Sequence, residues 1–250
     1  MIETAFISDK GDKRPVNEDR VLCKSYKING EEWGLFVVAD GLGPMGRGSV
    51  ASQIAVDQLA SWWENELSTM ISMQSTHGDI IKSLGKKLEK INKKIVDAQS
   101  GKMMGTTLSI LCIMGDKYFV KHVGDSRIYW LSQGEEITQI SEDHSYVAEL
   151  MRAGEITPED AKTHPQRNVI TRCFGTKVMP KVYSYIGKLV PGDGFLLASD
   201  GFYNVVEART VLGIVKAPMG VEEKVQQLRG QIPPGAAYDN VSVALVMTIA

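Results

Sequence analysis

Two apolar runs that each stop on Asp-Gly constrain this chain more than any other feature. Phe36 to Ala39 ends in Asp40-Gly41, and Phe195 to Ser199 ends in Asp200-Gly201. Short apolar runs closed by turn residues predict buried strands, so each places a carboxylate at the rim of a hydrophobic core. An ionised Asp beside a low-dielectric interior needs compensation, and a metal ion is one of the few groups that supplies it fully. Gly41, Gly43, Gly46 and Gly48 let the backbone bend toward whatever Asp40 holds and leave a peptide carbonyl as a further hard oxygen donor. A lone Asp-Gly after a strand also reads as a hairpin turn. Here Asp125 follows the strand-like KYFVKHVG and Asp239 opens YDNVSVALVM, giving four acids at strand boundaries far apart in the chain. Strand ends from separate segments are where a shared site is assembled.

The remaining pattern points to an α+β layout in one domain spanning 1–250, since no repeat, linker or low-complexity tract divides it. Strands are predicted over 2–8, 21–26, 106–114, 117–124, 127–131, 136–140, 183–186 and 241–248, beside the two runs above. Gly115-Asp116 and Gly124-Asp125-Ser126 read as hairpin turns, making 106–131 an antiparallel meander. Helices are predicted over 49–67, with Trp62 and Trp63 in the core, and over 79–98. The second carries a row of isoleucines and leucines opposite Lys82, Lys86, Lys87, Lys90, Lys93 and Lys94. Those lysines read as a solvated face, with phosphate steering as the other use. Two short helices follow in 141–163, with Ser141 as an N-cap, His144 at its third position, and Thr157-Pro158 opening the next. The polar stretch from about 141 to 179 has the composition of a flap. Two further helices are predicted over 207–216 and 220–231.

Charge and cysteine content exclude several classes. The 28 Lys and Arg nearly balance 30 Asp and Glu, so nothing points to nucleic acid or an anionic membrane. No apolar run approaches the roughly 20 residues of a membrane span, and the N-terminus shows no signal pattern. Cys23, Cys112 and Cys173 are widely spaced and odd in number, which reads as buried thiols in a reducing compartment, hence the cytoplasm.

Asp and Glu oxygens with a backbone carbonyl suit Mg²⁺ or Mn²⁺ rather than zinc. Two such ions about 3.5–4 Å apart hold and acidify a shared water. Arg14, in RPVNED, is either a surface residue or a bidentate grip on phosphate; Glu18 and Asp19 are either a solvated pair or part of the site. In-line hydrolysis of a phosphate monoester is the reaction that fits. No CxxxxxR or GxSxG nucleophile motif suggests a covalent route.

In order, RPVNED, VVADGLG, MGTTLS, HVGDSRIYWL, LLASDG and YDNVSVALV span nearly the whole chain. Together they resemble the metal-dependent protein phosphatases of type 2C, in their compact bacterial form. The resemblance implies a four-layer αββα sandwich of two antiparallel sheets and two to three Mn²⁺ or Mg²⁺ ions. It also implies phosphoserine and phosphothreonine protein substrates, including products of a Ser/Thr kinase or the kinase itself. Carried over by position, Asp40 bridges both ions with Gly41 giving its carbonyl. Asp200 and Asp239 complete the first ion, and Glu18 and Asp19 hold the second. Asp125 with Asp200 matches a third position, Arg14 the phosphate-binding arginine, and 144–172 the flap. Bacterial members commonly read DGMGGH where this chain has Leu42-Gly43-Pro44-Met45 after Asp40-Gly41, and some eukaryotic members place a proposed acid where Leu42 stands. His144 and His164 are then the candidates for substrate contact or proton donation, against an ordinary capping or surface role. A monomer is expected. The competing reading is a silent phosphoprotein-binding module on the same fold.

Overall fold

The computed structural model describes residues 1–133 and 135–249. Strands β1 (Ile2–Asp9), β2 (Arg20–Ile28) and β3 (Glu31–Ala39) lead into the two-residue β4 (Gly41–Leu42). Helix α1 (Gly48–Ser61), a π-helical segment (Trp62–Leu67), α2 (Ser68–Ser72) and α3 (His77–Asp97) follow. Then come β5 (Gly105–Thr106), β6 (Leu108–Met114), β7 (Lys117–Val123), β8 (Arg127–Ser132) and β9 (Glu136–Gln139). Helices α4 (Tyr146–Ala153) and α5 (Pro158–Thr163) precede β10 (Tyr183–Lys188) and β11 (Gly194–Ala198). The chain closes with α6 (Asp200–Tyr203), α7 (Ala208–Lys216), α8 (Val221–Gly230) and β12 (Val241–Thr248).

Two five-stranded antiparallel sheets result, ordered β1-β12-β11-β8-β9 and β10-β7-β6-β3-β2. Side-chain alternation decides which layer each residue joins. Phe36, Val38, Leu111 and Ile113 of one sheet meet Ile128, Phe195, Leu197 and Val246 of the other between the sheets. The alternate residues Leu35 and Val37 face outward against Leu59 of α1 and Leu84, Leu88 and Ile91 of α3. On the other side, Val241, Val243 and Leu245 pack against Val225 and Leu228 of α8 and Val211 of α7. Burial on both faces explains why β6, β11 and most of β12 are apolar on both faces rather than alternating, broken by Ser109 in β6 and Ser242 in β12. The architecture is α+β, an αββα sandwich.

Local detail corrects four expectations. Gly124-Asp125-Ser126 is no hairpin turn: β7 lies in one sheet and β8 in the other, so this tripeptide carries the chain across the sandwich. Gly124 has φ +116°, and a Cβ there would fall 2.4 Å from that of Thr107, which requires glycine. The N-cap before α4 is Ser145, whose hydroxyl accepts from Ala148 N–H, while Ser141 accepts from Ile128 N–H. His144 therefore lies outside the helix. The expected helix 49–67 is α-helical only to Ser61, with Trp62 and Trp63 buried in the π-helical continuation. Finally, Lys87 is not on the solvated face of α3 but buried, paired with Glu66 at 2.6 Å. Cys112 is buried and Cys23 and Cys173 are half-buried, all as free thiols.

Candidate active site

One end of the sandwich gathers the acids. Asp40 sits where β3 ends, and its backbone is clamped by MGTTLS: Thr107 Oγ1 accepts from Asp40 N–H, while Thr106 Oγ1 and Thr107 N–H donate to the Asp40 carbonyl at 2.9 and 2.8 Å. Gly41 pairs with Thr106 and lies against the carbonyl of Glu18. Asp200 opens α6 at the end of β11, and Asp239 precedes β12. These two segments touch through backbone, since a Cβ on Gly201 would fall 2.1 Å from the Asn240 carbonyl oxygen. Asp125 lies in the inter-sheet crossing, buried. Asp19, also buried, accepts from Ser199 Oγ at 2.8 Å through one oxygen.

The electrostatics show how closely these groups face one another. Burial, then the charges of Asp19, Asp200, Asp125 and Asp239, push the Asp40 carboxyl well above its usual range. Burial is likewise the leading cause that raises Asp125 to about 8, Asp19 to about 7 and Asp200 to about 6, with neighbouring carboxylates adding to it. One side-chain oxygen each of Glu18, Asp19, Asp125 and Asp200 is buried without a hydrogen-bond partner. Buried carboxylate oxygens normally find donors. Orphaned hard oxygens on Asp19, Asp125 and Asp200, which face the Asp40 carboxyl, and a fourth on Glu18 are donors of the kind that suits divalent Mg²⁺ or Mn²⁺. Among the described residues, no three acidic, histidine or cysteine side chains are already gathered into a formed cluster for one ion. Asp239 in particular is engaged elsewhere: Arg14 donates to its Oδ2 at 2.6 Å, and Asn240 N–H donates to its Oδ1. The Arg14 side chain remains 49% exposed, so further guanidinium N–H groups face solvent at the mouth.

The histidines lie differently from the acids. His144 is fully buried, its Nδ1 accepting from Gly124 N–H at 3.1 Å and its ring stacked on His122 at 5.2 Å. His122 is held between Ser109 Oγ and the Gly124 carbonyl. That carbonyl can only accept, so Nε2 carries the proton and Nδ1 accepts from Ser109. Burial lowers both rings to about 4, so both are neutral. The pair braces the Gly124 crossing that carries Asp125 and is closed to solvent. His164 is half-exposed at the end of α5, where Nδ1 accepts from Gln166 N–H.

Several supporting residues escape a reading of motifs. Asn240 accepts from Glu18 N–H and donates to the carbonyls of Lys10 and Val16, so it ties down the whole loop bearing Arg14, Glu18 and Asp19. Its place beside Asp239 in YDN was the available signal. Arg127 forks onto Asp143 at 2.7 and 3.0 Å and lies 3.8 Å over the Tyr203 ring, whose hydroxyl donates to the Asp125 carbonyl. This unit links the segment before α4 to α6 and to the crossing.

Comparison with known proteins agrees with this geometry. The family model described as protein phosphatase 2C matches residues 12–231. The chain is 34% identical over 248 residues to protein phosphatase PhpP of Streptococcus pneumoniae serotype 2, covering 98% of this chain and 97% of the relative. It superposes with TM-score 0.83 and 32% identity on the serine/threonine phosphatase PstP/Ppp of Mycobacterium tuberculosis, covering 100% and 99% of the two chains. The catalytic domain of PstP in complex with two manganese ions matches at TM-score 0.80 and 31% identity, covering 100% of this chain and 99% of that one. With a family model running through every acid but Asp239, and relatives aligned over nearly their full length, the chain belongs to the protein phosphatase 2C family.

Proposed function

We propose that this chain is a Mn²⁺- or Mg²⁺-dependent protein phosphatase that hydrolyses phosphoserine and phosphothreonine, with the acids of the sandwich mouth as its metal ligands. The observation that carries the residue assignment is the set of buried, unpartnered oxygens on Asp19, Asp125 and Asp200 facing Asp40, with a further one on Glu18 beside Asp19 in the chain. Asp40, with the Gly41 carbonyl, would be shared between two ions. Asp200 would complete one together with Asp239, whose oxygens each keep a lone pair beyond the hydrogen bonds from Arg14 and from Asn240 N–H; Glu18 and Asp19 would complete the other, and Asp125 with Asp200 would offer a third position. Bound divalent ions supply Lewis-acid activation of water and neutralise charge on phosphoryl oxygens.

The protein's own groups do the rest. Arg14 orients the phosphoryl group through its free N–H fork while Asp239 holds the near side of the guanidinium. Asn240 fixes the loop on which Arg14 rides, and Thr106 and Thr107 fix the Asp40 backbone. The finer reading is a single-domain monomer acting in the cytoplasm on products of a Ser/Thr kinase, with 141–179 as a flap over the mouth. No helix of the described residues is long and apolar enough to cross a membrane. The test is release of phosphate from a phosphothreonine peptide with and without Mn²⁺. Turnover requiring Mn²⁺ and abolished by EDTA is expected, and no turnover from folded protein in either condition favours the silent binding module.

A further inference from the structure

His144 stands at a junction between two parts of the molecule. Its ring is enclosed and neutral, so neither substrate contact nor proton donation falls to it. What it does touch is Gly124, twice. The His144 N–H donates to the Gly124 carbonyl at 2.8 Å, and the Gly124 N–H donates back to His144 Nδ1 at 3.1 Å. The same carbonyl accepts His122 Nε2–H at 2.9 Å. The next residue is Asp125, whose own carbonyl accepts the Tyr203 hydroxyl at 2.8 Å and whose Oδ1 is buried with no partner. Both peptide units that meet at Asp125 are therefore fixed through their carbonyls, and the carboxyl takes its place from that frame. On its other side His144 closes a neck. Its carbonyl accepts the Thr171 N–H and the Tyr146 N–H donates to the Val169 carbonyl, both at 2.8 Å, with Ser145 bridged antiparallel to Ile170. Helices α4 and α5 lie within the loop that this neck closes. One residue thus fastens the base of that loop to the peptide presenting Asp125. The acceptor Nδ1 is the atom that matters, because Nε2 is buried without a partner and the ring's hydrogen bond among the described residues is the one to Gly124.

We infer that His144 is a positioning residue for the divalent ion held through Asp125, and that occupancy of this position and closure of the neck reinforce each other. The inference rests on the reading of Asp125 as an ion ligand. A carboxylate binds an ion more tightly when its backbone is already placed, and groups that orient a ligand typically carry about 10- to 100-fold of metal affinity. Coupling between two equilibria is reciprocal. An ion that fixes Asp125 therefore holds the neck shut by the same factor by which the neck favours the ion.

The test reads Mn²⁺ binding and amide exchange rather than turnover. Calorimetric titration of Mn²⁺ into the metal-stripped protein compares the unaltered chain with His144→Asn, whose Oδ1 replaces Nδ1 as acceptor, and with His144→Leu, which fills the space without one. His144→Leu should weaken by about tenfold the ion that Asp125→Asn removes, leave the other ions within about twofold, and add nothing to Asp125→Asn in the double variant. His144→Asn should restore that ion to within about threefold of the unaltered protein. In the unaltered protein, hydrogen exchange followed by mass spectrometry should slow about tenfold in peptides covering Gly124, His144 to Tyr146 and Thr171 as Mn²⁺ fills this position, and should not slow in Asp125→Asn. This second measurement needs no change at His144, so it decides the matter even where both His144 variants fail to fold. Mn²⁺ binding unchanged in His144→Leu, an equal loss in His144→Asn and His144→Leu, or neck exchange indifferent to Mn²⁺ overturns the positioning role. Asp125→Asn that binds Mn²⁺ like the unaltered protein sinks the ion assignment itself, and the inference with it.

Discussion

Strand β11 carries a buried or partly buried aspartate at each end, and the two differ in one respect. Asp193, just before it, is almost wholly enclosed, and both of its oxygens accept backbone N–H groups, from Val190 at 2.9 Å and from Gln133. Asp200, just after it, has an oxygen with no partner and faces Asp19, Asp40, Asp125 and Asp239. Sequence distance, strand and residue type are matched; satisfaction is not. A carboxylate that ties a loop finds its donors inside the protein, whereas one that serves a ligand is left wanting a cation. The same contrast separates Asp143, locked to Arg127, from Asp125 nearby.

The comparison breaks most easily at Asp40. Asp40→Asn should lower Mn²⁺-dependent phosphopeptide turnover by about a thousandfold or more in steady-state assays, since it removes the oxygen proposed to serve both ions. The same change should raise the melting temperature of the metal-free protein at pH 8, because a carboxylate crowded by like charges is removed. Next in size, Arg14→Ala should raise KM for phosphopeptide about tenfold with a smaller change in kcat. The third contrast is in pH. Asp19, Asp125 and Asp200 have folded-state pKa values raised to about 7, 8 and 6. The folded metal-free protein therefore binds these protons more tightly than the unfolded chain. Their stabilising contribution is complete below the unfolded carboxylate pKa of about 4 and is lost as pH rises through about 6 to 8. Thermal melts in EDTA should fall from pH 5 to pH 8, and Mn²⁺ should reverse the loss at pH 8. Smallest in its effect on turnover is Asp193→Asn, which should leave the rate within about twofold yet cost about 1–3 kcal/mol in urea unfolding. If Asp193→Asn instead abolished turnover and Asp200→Asn did not, satisfaction would be the wrong discriminator.

The sequence exposes what is local and periodic. The apolar runs ending at Asp40 and Asp200 and the closing strand 241–248 are legible because burial on both faces leaves a nearly unbroken apolar signature, and the sheet-covering helices because burial of one face leaves a helical period. Partner choice is not local. Gly124-Asp125-Ser126 has the composition of a tight turn, and only the contact of Gly124 with Thr107 and the His122–His144 brace show it to be a crossing between sheets. Two serines four apart compete to cap α4, and the choice of Ser145 depends on Ser141 being taken by β8. Asn240 binds across more than 220 residues of sequence, so no spacing rule reaches it. The acids are legible as a set; that Arg14 and Asp239 hold each other is not, because 225 residues separate the two.

The central claim is that the unsatisfied carboxylates hold divalent cations. Isothermal titration calorimetry of Mn²⁺ into the metal-stripped protein at pH 7, in buffers of differing ionisation enthalpy, tests it most directly. The account predicts two or more bound ions with release of protons from the raised carboxyls, and loss of binding in Asp40→Asn but not in Asp193→Asn. Absence of Mn²⁺ binding, or binding unchanged by Asp40→Asn, would contradict it.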